Sequence, residues 1–156
     1  MECIEHQPAL SGRLFCLGWS PSCPEVRQTI PILRIFDVEK ARDFYVGFLG
    51  FAVDWEHRFE ESAPVYMQVS RSGCVLHLSE HNGDCCPGST IFPRVMGLER
   101  YHAEITAKND KYDRPGIETT FHNSRCMELG DPFGNRLRFD EVLPPVQAQA
   151  ETNPAP

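Results

Sequence analysis

LGDPFGNRLRFDE, residues 129–141, decides how the chain is read. Asp131-Pro132-Phe133-Gly134-Asn135 is turn chemistry, because Pro presets φ while Gly and Asn accept positive φ. Residues 136–141 then alternate charged and apolar side chains, the period of a half-buried strand. Leu137 and Phe139 must face a core, which turns Arg136, Arg138 and Asp140 to the opposite face. That opposite face is where we expect function.

Upstream of this strand, residues 116–121 and 125–129 read as two more strands. Leu98, Tyr101, His102 and Ile105 have helical spacing, and residues 90–95 form a weak strand. The same order occurs earlier in the chain. Residues 29–36 are a short apolar strand, and Asp37 caps a helix with Glu39 in its first turn. Ala41, Phe44, Tyr45, Phe48 and Leu49 follow as an amphipathic stripe, which Gly50 stops.

Residues 51–60 alternate next, with Phe51, Val53, Trp55 and Phe59 on one side and Asp54, Glu56, Arg58 and Glu60 on the other. Residues 64–70 and 74–80 give two strands joined at Arg71-Ser72-Gly73, and residues 81–89 connect the halves. Strand, helix and three strands therefore occur twice, in units of ~50 residues, and neither unit can bury its apolar face alone. We expect an α+β domain over residues 29–142, with units at about 29–82 and 90–142. Residues 1–28 read as an irregular extension, and 143–156 as a disordered, low-complexity tail.

The composition excludes several classes. At 156 residues the chain has one domain of ordinary size, and its net charge of −7 argues against a nucleic-acid partner. No apolar run approaches the ~20 residues of a membrane span. The first residues carry acids where a signal peptide carries bases, so we read the protein as cytoplasmic. Seven cysteines, with Cys85 and Cys86 adjacent and no C-x-x-C pair, support neither a zinc knuckle nor a redox motif. Reduced thiols are the reading we prefer.

DVEKARDFYVGFLGF (37–51), CVLHLSE (74–80) and GDPFGNRLRF (130–139) together resemble the vicinal-oxygen-chelate superfamily. That superfamily includes glyoxalase I, extradiol dioxygenases, fosfomycin-resistance enzymes and bleomycin-resistance proteins. The likeness covers roughly residues 29–142 and is strongest toward the bleomycin-resistance, glyoxalase-like branch. It implies two βαβββ units forming a curved, half-closed mixed sheet around a cup. Its enzymes hold a divalent metal there with ligands from the first and the last or near-last strands of each unit. On this chain those positions fall at about Ile30, at His77, near Thr90 or Ile91, and at Arg138. Only His77 is a ligand, and a guanidinium repels a cation. We therefore expect no metal and no cofactor.

His77 then reads as a polar pocket wall rather than a ligand. Trp55 and Phe59 are either an aromatic wall for a ligand or packing in a dimer. Glu80 with His81 is an acid/base candidate, against solvated loop residues as the plainer account. Cys74 and Cys126 read as inert thiols in strands. The resemblance implies a homodimer that binds a bleomycin-like antibiotic or another small metabolite without covalent chemistry. The ligand-binding set expected is Arg34, Trp55, Phe59, His77, Arg138 and Asp140. Acidic net charge favours a cationic ligand, whereas Arg34, Arg136 and Arg138 in the cup favour an anionic or carbonyl-rich one. The alternative is a glyoxalase-like lyase or isomerase acting on a small carbonyl or oxoacid.

Overall fold

The computed structural model describes residues 26–108, 112 and 114–144. The expected extension and tail lie outside these residues, apart from 26–28 and 143–144. Strand β1 (Ile32–Arg34) leads into helix α1, which is α-helical over Val38–Ala41 and π-helical over Arg42–Phe48. Strands β2 (Ala52–His57), β3 (Tyr66–Arg71) and β4 (Cys74–Ser79) complete the first unit. The second unit comprises β5 (Thr90–Ile91), α2 (Leu98–Ala107), β6 (Glu118–Thr119), β7 (Ser124–Gly130) and β8 (Arg136–Val142).

Each unit makes a four-stranded mixed sheet with the same order, β1-β4-β3-β2 and β5-β8-β7-β6. The first strand of each pairs in parallel with the last, and the other pairs are antiparallel. Two open βαβββ sheets are the α+β fold that the repeated pattern implied.

Local chemistry accounts for the element boundaries. Asp37 Oδ1 accepts the Lys40 backbone N–H at 3.0 Å, capping α1. The stripe Ala41, Phe44, Tyr45, Phe48 and Leu49 is buried, together with Leu33, Met67, Val69, Leu76 and Leu78 of the first sheet. These side chains make one core with Leu98, Ile105, Met127, Leu129, Leu137 and Phe139 of the second unit, so neither half buries its apolar face alone. The β3–β4 hairpin turns on Ser72 and Gly73, both with positive φ. The 131–135 turn closes through the Asp131 N–H to the Asn135 carbonyl at 2.8 Å, with Gly134 at φ 89°.

One expectation is corrected by a bulge. Strict alternation placed Trp55 on the same side as Phe51 and Val53. Val53 pairs with Val69, but Trp55, not Asp54, pairs with Gln68. The extra residue turns both Asp54 and Trp55 to the open face of the sheet, away from the core. Phe51 stays buried and Val53 packs against the core, while Trp55 is 41% exposed.

Candidate ligand-binding site

Side-chain parity across the first sheet builds the site. Leu33, Leu78 and Met67 are register partners on the core side. On the open face, Ile32, His77, Gln68 and Trp55 form one row, and Arg34, Ser79, Tyr66 and His57 the next. Trp55 stacks beside Tyr66 with ring centroids 5.9 Å apart and an interplanar angle of 11°. His77 meets Trp55 edge-on at 5.4 Å and Tyr66 at 5.3 Å. From the following loop, Phe59 reaches over to His57 at 4.8 Å and His81 at 5.9 Å. Trp55, His57, Phe59, Tyr66, His81 and Asp84 line an open cleft of about 390 Å³.

Beneath the cleft runs a chain of hydrogen bonds. Tyr66 Oη lies 2.9 Å from His77 Nδ1, and His77 Nε2 lies 3.0 Å from Gln68 Oε1. Gln68 Nε2 donates to Asp54 Oδ2 at 2.8 Å, and Ser70 Oγ donates to Asp54 Oδ1 at 2.8 Å. Burial holds the His77 imidazole below its ordinary value, which favours the neutral ring. Burial, with Asp84 and Cys85 nearby, pushes the Tyr66 phenol up, so it keeps its proton.

The remaining expected site residues stand elsewhere. Arg34 shares the open face, but its guanidinium lies over the Phe36 ring at 5.1 Å and outside the cleft lining. Arg138 and Asp140 belong to the second sheet, where parity again turns them from Leu137 and Phe139. Arg138 Nε donates to Glu128 Oε2 at 2.6 Å, directly across from it on β7. Asp140 is fully buried, accepting from Arg94 Nη1 at 2.5 Å and from Ser124 Oγ. The structure thus brings Trp55, Phe59 and His77 together and sets Arg138 and Asp140 apart from them. The Glu80 carboxylate accepts the Val65 N–H at 2.9 Å, a structural role that removes it from the acid/base pair considered with His81.

Sequence reasoning missed Tyr66, His57, Asp84, Gln68 and Asp54. For Tyr66 and Gln68 a signal existed, since strand parity puts them opposite Met67 and Val69. For Asp84 there was none, as it sits in a connecting loop. A larger cavity of about 680 Å³ lies between the β3–β4 turn and the start of α2. Two of its guanidiniums are committed, Arg71 to Glu104 and Arg94 to Asp140, and Arg100 lines it as well. The smaller cleft is the one that gathers the stacked aromatic rings.

A divalent metal of the kind held by vicinal-oxygen-chelate enzymes does not fit these residues. Both His77 nitrogens have partners, and Arg138 occupies the final-strand position. Among the described residues no three His, Cys, Asp or Glu side chains converge as a metal site. Three thiols among the described residues are equally unprepared. Burial pushes the Cys74, Cys85 and Cys126 thiols up, away from the reactive thiolate. No helix among the described residues is long and apolar enough to cross a membrane.

The chain belongs to the glyoxalase superfamily, whose profile, described as glyoxalase superfamily protein, matches residues 23–144. No curated protein matches it. Among solved structures it is similar to a bleomycin resistance determinant encoded on the transposon Tn5. The identity is 21% and the TM-score 0.59, over 75% of this chain and 98% of that one. A bleomycin-binding protein complexed with bleomycin matches at 21% identity and TM-score 0.56, over 76% of this chain and all (100%) of that one. TnmS3, an antibiotic binding protein from Streptomyces sp. CB03234, matches at 21% and 0.59, over 77% of this chain and 100% of that one. At such identities the likeness is one of fold.

Proposed function

We propose that the protein is a bleomycin-resistance-type binder that sequesters an antibiotic or related metabolite in the first-sheet cleft without covalent chemistry. The observation that carries this is the Trp55–Tyr66 stack standing open on a sheet face whose neighbourhood offers no activated nucleophile. Aromatic surface at an open cleft suits a planar ligand part, and such stacking contributes ~1 kcal/mol beyond buried area. The structural neighbours that bind bleomycin or another antibiotic share this fold.

We place the protein in the cytoplasm and infer that it works as a homodimer. Phe59, Phe121 and Val142 are exposed, at 76%, 101% and 60%, and among the described residues both sheets end in edge strands that a second copy can cover. The experiment is titration of the purified protein with bleomycin and with smaller planar antibiotics, followed by mass analysis of the recovered compound. Saturable binding with an unchanged ligand mass supports the reading. A modified ligand, or no binder in such a panel, overturns it.

A further inference from the structure

We infer that Tyr66 serves the cleft as a hydrogen-bond acceptor, so that the ligand is a planar cationic group presenting an N–H or O–H donor beside Trp55. This rests on the cleft being the binding site.

The direction of the chain beneath the cleft is set from its far end. Asp54 is a carboxylate and only accepts, so the nearby Gln68 atom must be its amide nitrogen. Its second oxygen takes the Ser70 hydroxyl, which reinforces the accepting role. Gln68 then offers its carbonyl oxygen to His77, and the ring must carry its proton on Nε2. A neutral imidazole protonated at Nε2 can only accept at Nδ1, so Tyr66 donates its hydroxyl proton there. Each link leaves one orientation for the next.

A phenol whose single proton is spent on His77 has only lone pairs left for the cleft. Tyr66 is half-buried and lines the cleft, so those lone pairs are within reach of a ligand lying against Trp55. Within the cleft lining the fixed charge agrees in sign, and Arg34, in the same row as Tyr66, holds its guanidinium over Phe36 outside that lining. Asp84 lines the same cleft, with Oδ2 taking the Ser79 hydroxyl at 2.6 Å, and neither Lys nor Arg is among the lining residues. A cationic donor meets an accepting phenol oxygen and a carboxylate there, while an anion meets both as repulsion.

Two measurements on the full chain test this. The first needs no ligand: the ¹⁵N shifts of His77 at pH 7 are expected to show the proton on Nε2, and a proton on Nδ1 overturns the inference. The second uses calorimetric titration with three planar probes. Proflavine is cationic with N–H donors, 10-methylacridinium is cationic without them, and acridine-9-carboxylate is anionic. Proflavine is expected to bind most tightly, and Tyr66→Phe to weaken it about tenfold, the size of one charge-assisted hydrogen bond, with 10-methylacridinium unaffected. If Tyr66→Phe treats both cations alike while Trp55→Ala still weakens both, the cleft remains the site and the inference is wrong. Tighter binding of the carboxylate, or no proflavine binding by the parent, also overturns it. Should Trp55→Ala leave both cations unchanged, the cleft reading itself fails, and the inference with it.

Discussion

Tyr45 Oη donates a 2.8 Å hydrogen bond to Asp131 Oδ2, joining the helix of the first unit to the turn of the second across 86 residues of sequence. The Asp131 carboxylate also accepts from the Phe133 N–H and from both the backbone and side-chain nitrogens of Asn135. Asn135 Nδ2 in turn reaches the Arg34 carbonyl at 2.8 Å. Tyr45 and Asn135 are fully buried and Asp131 is 8% exposed, so each group would be costly to leave unpaired. Tyr45→Phe is expected to cost about 1–3 kcal/mol, and Asp131→Ala more, because it strands several donors at once. Urea unfolding with an unchanged m-value checks this. A Tyr45→Phe midpoint equal to the parent's means that the bond does not clasp the units.

A second link between the units carries a pH signature. Arg71, from β3, places its guanidinium over the Tyr101 ring at 4.4 Å and donates to Glu104 on α2 at 2.6 Å. The hydrogen bond from Arg71 holds the Glu104 carboxyl below the usual 4.5. A depressed folded value means that the stabilisation is fully present above about pH 4.5 and is lost as pH falls through the folded value. Because Glu104 is 43% exposed, solvent screening keeps the effect small. Glu104→Gln is therefore expected to lower the melting temperature at pH 7 and to leave it nearly unchanged at pH 3. Equal losses at both pH values would show that the carboxylate charge is not what matters.

How much of this was legible depends on the range of the interaction. The α1 stripe, the Asp37 cap and the 131–135 turn are local, and periodicity and turn chemistry reveal them. The bulge at Asp54-Trp55 carries no glycine to mark it, so alternation misplaced Trp55 until the partner strand was known. The Tyr66–His77–Gln68–Asp54 chain depends on the register of three strands, which no single segment encodes. The Arg138–Glu128 pair was hidden for the same reason: a residue facing outward can spend its charge on a cross-strand neighbour rather than on a ligand. The π-helical turns of α1 left no mark either, since the helical stripe alone fits an ordinary α-helix.

The open edges of both sheets lead to a statement about assembly. At micromolar concentration the chain is expected to sediment as a dimer. Phe121→Asp and Phe59→Asp are expected to shift it toward monomer, because each replaces a fully or mostly exposed apolar ring with a charge. A parent protein that sediments as a stable monomer at these concentrations removes the dimer from the proposed function.

Trp55→Ala separates binding from folding. The Trp55 ring is 41% exposed on the open face, and the core residues Met67, Val69, Leu76 and Leu78 lie on the other side of the sheet. Truncation therefore removes the stack on Tyr66 and the edge contact with His77 while leaving the core packed. Unfolding should change by ~1 kcal/mol or less, and affinity for a planar ligand should fall about tenfold or more, since that ring supplies the stacking surface. Cys85→Ser and Cys86→Ser should leave affinity unchanged, because burial pushes the Cys85 thiol away from the thiolate and Cys86 is an exposed thiol outside the cleft lining. Titration of the three variants alongside thermal unfolding reads both quantities. Lost binding in either serine variant, with the tryptophan variant intact, would move the chemistry from the aromatic face to the thiols and end the non-covalent reading.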